Sequence, residues 1–180
     1  MATISKFEIT GLNDTMQVFQ DLANEIGDRK ATSKILIPAV REAMKPVLSA
    51  AKILVPKDTN LLVESLIIRA KRPSAKDKKS NYVKNTDTVI ATVSTRPISK
   101  KHKREYQSVK TKVSKKEFFE SKGYFYDARA VAMEFGTKNV APKPYLRPAL
   151  ESQAQAVSAS LSIIIKNKIE KYRGKTRWVN

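Results

Sequence analysis

Apolar side chains recur at every third or fourth position in the first part of the chain. The first such run predicts a helix, and its apolar positions are Leu12, Met16, Phe19, Ala23 and Ile26. A longer run predicts a second helix over residues 32–54, with Thr32 or Ser33 as its N-cap. Pro38 and Pro46 lie inside this run. Because proline removes an amide donor, we expect a kink or a break near one of them.

The period changes from helical to alternating beyond Asn60. The segment Leu62–Ala70 is predicted to be mostly strand, and Thr86–Thr95 carries the clearest strand signal because β-branched residues fill it. Between them, Lys71–Lys84 is expected to form a flexible hairpin loop, and loops of that length are usually functional or disordered. The pattern therefore predicts a small antiparallel sheet.

The rest of the chain combines a basic stretch, a short apolar stretch and a final helix. Residues 97–123 are expected to form an extended arm or long loop that is partly helical toward its end. Tyr124–Phe135 is a helix or a strand in this interpretation. Its residues available to a core are Tyr126, Ala130, Val131, Met133 and Phe135. A helix of roughly two dozen residues is predicted after Pro148. The predicted fold is α+β: N-terminal helices, a small antiparallel β-sheet with long basic loops, and a long C-terminal helix.

The composition favours a soluble globular protein. Of its 180 residues 41% are hydrophobic, which is enough apolar material for one domain spanning residues 1–180. No apolar run approaches the roughly 20 residues of a membrane span, and Met1–Thr10 has no hydrophobic stretch of signal-peptide type. We therefore expect an unsecreted protein without a membrane partner. The absence of cysteine excludes disulfides and thiolate chemistry.

The chain carries 35 Lys and Arg against 17 Asp and Glu, and the resulting net charge of +18 is concentrated in three segments. These are two predicted basic loops, at 69–84 and 96–122, and the end of the chain from 166 onward with a basic tail at 173–180. Either these segments are only solvated, or they face a polyanion or an acidic partner. No aromatic residues alternate regularly with the cations, so any contact with nucleic acid is expected to be sequence-independent. The candidate interface residues are Lys78, Lys79, Lys100, Lys101, Lys103, Arg104, Lys115 and Lys116.

Residues with catalytic or metal-binding chemistry are scarce. The one histidine, His102, lies among lysines and arginines, where it is a poor general base and a poor metal ligand. The carboxylates are scattered singly, and no glycine-rich phosphate loop or nucleophile motif occurs. We therefore expect no catalytic residues, no cofactor and no metal. Trp178, in the basic tail, is either a disordered terminal residue or an anchor for a partner surface, and we favour the anchor.

Two motifs carry a resemblance to a known family. The first is Ala51–Leu61 (AKILVPKDTNL), and the second comprises Ala132–Thr137 (AMEFGT) and Ala141–Leu150 (APKPYLRPAL). Their order and spacing, with Gly11-Leu12 near the N-terminus, resemble the tail-completion or head–tail joining (neck) protein family of long-tailed phages. That family has glycine where this chain has Asn60, and asparagine also tolerates a positive φ.

The resemblance implies a structural protein of the virion rather than an enzyme. Its subunits would form a homo-oligomeric ring, expected to be a hexamer, between the head-connector and the tail-terminator or tail-tube proteins of the phage neck. The ring would assemble in the host cytoplasm, and genomic DNA in its lumen would make non-specific contacts with it. The alternatives are a sequence-independent nucleic-acid-binding protein without a virion role, and an enzyme with an unrecognised site.

The chemistry of the two motifs is structural. Asp58 and Thr59 are expected to close an Asx- or ST-type turn, and Gly136 is expected to allow a tight reversal. Glu134 and Arg147 are candidates for a bidentate ion pair that fixes this turn. Together these residues predict a rigid corner that faces a neighbouring subunit.

Overall fold

The structure, a computed structural model, describes residues 12–56, 60–125 and 127–176. These residues form helices and one two-stranded antiparallel sheet, so the predicted α+β class with its long C-terminal helix is confirmed. The first α-helices are α1 (Leu12–Ile26), α2 (Asp28–Ala31), α3 (Ile37–Ala43), α4 (Lys45–Leu54) and α5 (Leu61–Ser65). The later ones are α6 (Lys100–Val109), α7 (Lys115–Ser121), α8 (Asp127–Phe135) and α9 (Leu146–Thr176). The strands are β1 (Leu66–Lys71) and β2 (Ile90–Thr95). In the parts of the chain that the structure describes, no helix combines the length and the apolar character needed to cross a membrane.

Helix α1 has the predicted bounds, and a glycine ends it. Gly27 adopts φ 87, a left-handed conformation that glycine reaches without steric cost, and its N–H still donates to the Ala23 carbonyl at 2.8 Å. The Gly27 carbonyl then accepts the N–H groups of Lys30 and Ala31. The second helical stretch therefore begins at Asp28, and the predicted N-cap at residues 32–33 is wrong because the backbone before it is already helical.

The second helical stretch is interrupted twice. A π-helical turn spans Thr32–Leu36, directly before the helix that carries Pro38 in its first turn. A non-helical turn at Met44 separates α3 from α4, which carries Pro46 as its second residue. The predicted kink or break near one of the prolines is confirmed at Pro46, which lies in the first turn of α4, where a missing amide donor costs nothing. At Pro38 the backbone stays helical, and the π-helical turn directly before it is the irregularity.

The segment before β1 is helical, although the sequence pattern predicted a strand there. Leu62 and Ser65 are both buried, three positions apart, and the Ser65 hydroxyl donates to the Leu62 carbonyl at 2.8 Å. Asn60, immediately before this helix, has φ 54, so it adopts the left-handed conformation expected of it. The strand prediction failed because one helical turn carries too few apolar residues to reveal its period.

The chain forms two compact units. The first comprises the described residues up to Pro46, Ile68–Thr92, and the described residues from Gln153 to Thr176. Within it, the N-terminal helices and the later part of α9 share a hydrophobic core formed by Phe19, Leu22, Ala23, Ala31, Ile35, Leu36, Ala39, Ile165 and Ile169. The interpretation of residues 1–180 as one domain stays a prediction.

The second unit comprises the described residues of Val47–Ile67 and Val93–Ser152, and its basic segment is helical. The prediction of an extended arm or long loop is wrong for Lys100–Val109, which is helix α6, whereas the expected helical part near the end of the segment is confirmed as α7. Ser99 and Ser114 accept the N–H groups of His102 and Glu117 with their side chains, so each caps a helix, α6 and α7 respectively.

An aromatic cluster holds α6 and α7 together. Tyr106 on α6 lies 5.5 Å and 5.4 Å, between ring centroids, from Phe118 and Phe119 on α7. Phe119, with 2% exposure, in turn meets Tyr124 edge-to-face. These few aromatic residues supply the apolar contact between the two helices. In the sequence they stand among many lysines and arginines, so no helical apolar period is visible.

The last two helices are α8 and α9. In the apolar stretch Tyr124–Phe135, predicted to be either a helix or a strand, Asp127–Phe135 is helix α8. Helix α9 begins at Leu146, two residues before Pro148, and runs through Thr176. The start of the predicted basic tail, 173–176, is therefore part of a helix.

Candidate functional site

The second motif forms a tight reversal between α8 and α9. Helix α8 ends at Phe135, and Gly136 follows with φ 77. A Cβ atom at Gly136 would lie 3.0 Å from Pro142 and from the carbonyl oxygen of Val140. An antiparallel bridge between Thr137 and Val140 closes the reversal. Both the backbone angle and the available space therefore require glycine at this position.

The carboxylate of Glu134 links the two sides of the reversal and is only 2% exposed. Its Oε2 accepts the main-chain N–H groups of Tyr145 at 2.8 Å and Leu146 at 2.9 Å, and its Oε1 accepts that of Arg147 at 3.2 Å. Amides at the start of a helix have no acceptor within it, so Glu134 caps α9 from a different helix. We call Glu134 with residues 145–147 the capped corner.

Glu134 remains ionised in this environment. Burial raises the pKa of its carboxyl, but the hydrogen bonds from the Leu146, Tyr145 and Arg147 amides outweigh burial and hold the pKa below its ordinary value of 4.5. The phenol of Tyr145 responds in the opposite sense. Burial, together with the nearby charge of Glu134, raises its pKa to about 12.

Arg147 contributes its side chain to the capped corner. Its Nε lies 3.2 Å from Glu134 Oε1, and its Nη2 donates to the Glu134 main-chain oxygen at 3.4 Å. The two residues thus form an ion pair through one guanidinium nitrogen rather than the predicted bidentate fork, because backbone amides occupy the other acceptor positions. The guanidinium also lies 5.4 Å from the ring centroid of Phe135, which is a cation–π distance.

Exposed apolar side chains accompany the capped corner. Val131 and Phe135 are one turn apart on α8, and Leu150 follows Arg147 by three positions on α9. Four residues make up this apolar strip, with exposed fractions of 57%, 64%, 57% and 49%: Val131, Phe135, Val140 and Leu150.

Of the residues expected to be available to a core, Ala130 is buried, whereas Val131 and Phe135 are exposed, so the prediction is wrong for those two. Among residues 130–135 of α8, the buried positions are Ala130 and Glu134, each one residue before an exposed apolar side chain. Because α8 is apolar at neighbouring positions around its axis, the sequence alone does not tell which side faces the protein. The buried carboxylate decides it, since its acceptor atoms must face the amides of the capped corner.

The eight candidate basic residues are all exposed, and the structure distributes them over both units. In the first unit, Lys78 and Lys79 lie in a 3-10 turn, and Lys78 Nζ donates to the Asn85 carbonyl at 3.0 Å. The other six lie in the second unit, whose helices α6 and α7 are in contact. They lie near the N-termini of those helices: Lys100, Lys101, Lys103, Arg104, Lys115 and Lys116.

The cations in the first turn of α6 are placed unfavourably for that helix. The first turn of a helix prefers acidic side chains, and α6 has no acidic residue there. Lys101 Nζ lies 3.9 Å from Oε1 of Glu105, one turn later in α6. This ion pair is long and exposed, so it contributes little to stability. The positive charge of α6 is therefore not placed to stabilise the isolated fold.

The first basic loop connects β1 to β2, as the predicted hairpin loop does. One carboxylate, that of Asp77, organises its first half. Asp77 Oδ2 accepts from Lys71 Nζ at 2.6 Å and from both the N–H and the hydroxyl of Ser74, at 2.8 Å and 2.6 Å. The hydrogen bond from Lys71, followed by those from Ser74, holds the pKa of Asp77 far below its ordinary value of 3.8. Lys78 and Lys79 are thereby displayed on a short ordered turn.

The remaining candidates have structural surroundings or lie outside the described residues. His102 Nδ1 lies 3.1 Å from the Tyr124 hydroxyl, next to the aromatic cluster. Across residues 12–56, 60–125 and 127–176, no three His, Cys, Asp or Glu side chains come close enough to hold a metal ion. The predicted turn at Asp58 and Thr59 and the candidate anchor Trp178 lie outside those ranges.

The chain matches no protein-family profile, and no curated protein and no solved structure is significantly similar to it. The likeness to tail-completion proteins therefore rests on the two sequence motifs alone.

Proposed function

We propose that this protein is a structural, non-enzymatic subunit of a phage neck, a ring-forming tail-completion or head–tail joining protein located in the virion. The capped corner with its apolar strip is the observation that carries the proposal. A carboxylate with 2% exposure fixes the start of α9, and apolar side chains on the two helices that meet there face solvent. Exposed apolar patches beside a rigid element are typical of protein–protein interfaces.

A ring interface needs a surface that keeps its shape in each subunit. The backbone of the capped corner is restrained by the conformation of Gly136, by the bridge from Thr137 to Val140 and by the bonds to Glu134. Such preorganisation lowers the entropy lost on association. We therefore assign the apolar strip to the contact between neighbouring subunits.

The cations of α6 and α7 support a position of the subunit near a polyanion. Six exposed cations near the N-termini of α6 and α7 would repeat around a ring, so that their fields add near DNA in the lumen or near an acidic connector or tail protein. A compensating anion would also offset the unfavourable position of these cations at helix N-termini.

Light scattering over a range of protein concentrations tests the ring. We expect wild-type chain to assemble into a closed oligomer as concentration rises, and Val131→Ser with Phe135→Ser to remain monomeric with an unchanged circular dichroism spectrum. The matched control is Ile163→Ser, which removes an equally exposed apolar side chain (61%) from the first unit and should leave assembly intact. Equal assembly of wild type and the double variant would refute the assignment of the apolar strip.

The second candidate is a sequence-independent nucleic-acid-binding protein without a virion role, which the six exposed cations of α6 and α7 favour. It predicts that the monomer binds duplex DNA with a logarithmic salt slope of about −0.9 for each phosphate neutralised. Replacing Lys100, Lys103 and Arg104 by glutamine should then make the slope less steep. A monomer at all concentrations that binds DNA in this way would favour the second candidate over the ring.

A further inference from the structure

A cavity of about 410 Å³ lies in the first unit, between the end of α9 and the helical stretch that contains the π-helical turn Thr32–Leu36. Four amines line it, and we call it the lysine groove: Lys34, Lys168, Lys171 and Lys175. Three of them occupy positions i, i+3 and i+7 of α9 and therefore share one helix face. The fourth comes from the π-helical turn, and such turns frequently accompany functional sites.

The core of the first unit brings these distant segments together. Ile35, adjacent in sequence to Lys34, packs in one buried cluster with Ile165 and Ile169, which lie on the same helix as the other lysines. Ile35 is 1% exposed and Ile169 is also 1% exposed, so the helices that carry the amines are held by close packing. The lysine groove is thus a feature of the folded core and not of mobile side chains alone.

The positive charge of the lysine groove is largely uncompensated. Lys168 Nζ lies 2.6 Å from Glu42 Oε2, and this hydrogen bond, followed by the charge of Lys168 and the weaker effects of Lys45 and Lys171, lowers the pKa of Glu42. The amines of Lys34, Lys171 and Lys175 form no ion pair with any carboxylate among the described residues. Amines around one cavity repel one another, so a bound anion would relieve this repulsion.

The wall of the lysine groove between the amines is apolar. Ile35 is buried, and Pro38 and Tyr172 are half-buried beside it. Duplex DNA presents a continuous row of phosphates and no apolar group that would enter a cavity of this kind. A second copy of the chain, with net charge +18, would bring more positive charge to it. A segment with an apolar side chain between carboxylates satisfies both the amines and the apolar wall.

We propose that the lysine groove binds an acidic peptide segment of a partner protein, with an apolar side chain inserted between flanking Asp or Glu residues. The lysine groove is separate from the capped corner, so this inference stands whether or not the chain forms a ring. It adds Lys34 to the functional basic residues, a lysine that lies outside all three basic segments of the sequence.

Fluorescence anisotropy with a labelled peptide of alternating glutamate and leucine residues tests the proposal on the full chain. We expect saturable binding that weakens about tenfold in the triple variant Lys34→Gln, Lys171→Gln, Lys175→Gln, since three exposed ion pairs are lost. All three side chains are exposed, and thermal melts followed by circular dichroism check that the fold is retained. The matched control Lys110→Gln, Lys112→Gln, Lys143→Gln removes the same charge from exposed positions of the second unit that belong to neither proposed site, and should change the affinity less than about twofold.

Two further probes separate the alternatives. A glutamate–serine peptide should bind about tenfold more weakly than the glutamate–leucine peptide, because it leaves the apolar wall uncovered. Equal binding of both peptides, equal loss in the two triple variants, or no saturable binding would each overturn the proposal. A single-stranded oligonucleotide is the last probe. If it binds more tightly than the peptide, and only the lysine-groove variant loses that affinity, the proposal is overturned and the groove is assigned to nucleic acid.

Discussion

Glu134 and Tyr145 are joined by a 2.8 Å hydrogen bond from the Tyr145 main-chain N–H to Glu134 Oε2, and both side chains are almost fully buried. One carboxylate thereby sets the position of the residue that leads into the longest helix of the described chain. The charge of Glu134 is satisfied by backbone donors, while the phenol of Tyr145 is neutral. This pairing explains why an acidic residue is present inside the corner of a protein that is otherwise strongly basic.

Replacing Glu134 by glutamine should destabilise the fold. Glutamine offers one acceptor oxygen in place of two, so its amide group must face either the Tyr145 and Leu146 amides or those of Arg147. Hydrogen bonds to a charged acceptor contribute about 1.5–3 kcal/mol each, so we expect the free energy of unfolding to fall by about 3 kcal/mol in urea titrations. The control Glu151→Gln alters an exposed carboxylate on α9 and should change it by less than about 0.5 kcal/mol. Similar small losses in both variants would contradict the role assigned to Glu134.

The contribution of Glu134 should disappear in acid. Its pKa in the folded protein lies below the ordinary value of 4.5, so the unfolded chain takes up the proton first as the pH falls. The stabilisation is therefore complete above the unfolded pKa and is lost as the pH falls through the folded pKa. We expect the difference in unfolding free energy between wild type and Glu134→Gln to be constant above about pH 5.5 and to shrink progressively below about pH 4.5. A difference that does not change between pH 7 and the acid limit of folding would show that ionisation of Glu134 is not what stabilises the corner.

The sequence predicted those parts of the fold in which apolar spacing alone determines the structure. Helix α1 has its expected bounds because a single apolar face faces the core of the first unit. Helix α7 was expected as the partly helical end of its segment, whereas α6 was missed because its apolar contact rests on a few aromatic rings among many cations, although Ser99 is a cap residue that points to its start.

The candidate site was predictable to a similar extent. The contact of Glu134 with Arg147 follows from the motif spacing, whereas the exposure of Phe135 depends on which side of α8 is buried. The lysine groove was not predictable at all. Lys34 meets the lysines of α9 only through packing of segments far apart in the sequence, and a local count of charges carries no such information.

Asp77 should control the order of the first basic loop. Its Oδ2 accepts three donors from Lys71 and Ser74, and asparagine would remove the negative charge that these donors meet. We expect limited proteolysis with trypsin to cut after Lys78 and Lys79 several-fold faster in Asp77→Asn than in wild type, because the turn opens more often. The control is Asp21→Asn, an exposed carboxylate on α1, which should leave these cleavage rates unchanged. Equal cleavage rates in wild type and Asp77→Asn would show that the turn does not depend on this carboxylate.

Phe119 should be required for the helical form of the second basic segment. Its ring is 2% exposed and contacts the rings of Tyr106, Phe118 and Tyr124, so alanine would leave a cavity between α6 and α7. Truncation of a buried phenylalanine costs about 3–5 kcal/mol, and we expect a loss of this size in urea unfolding, together with reduced helical circular dichroism. The matched control is Tyr82→Ala, because Tyr82 is 87% exposed and its loss should cost little. If Phe119→Ala lost no more stability than Tyr82→Ala, the basic segment would owe its helices to its serine caps rather than to the aromatic cluster.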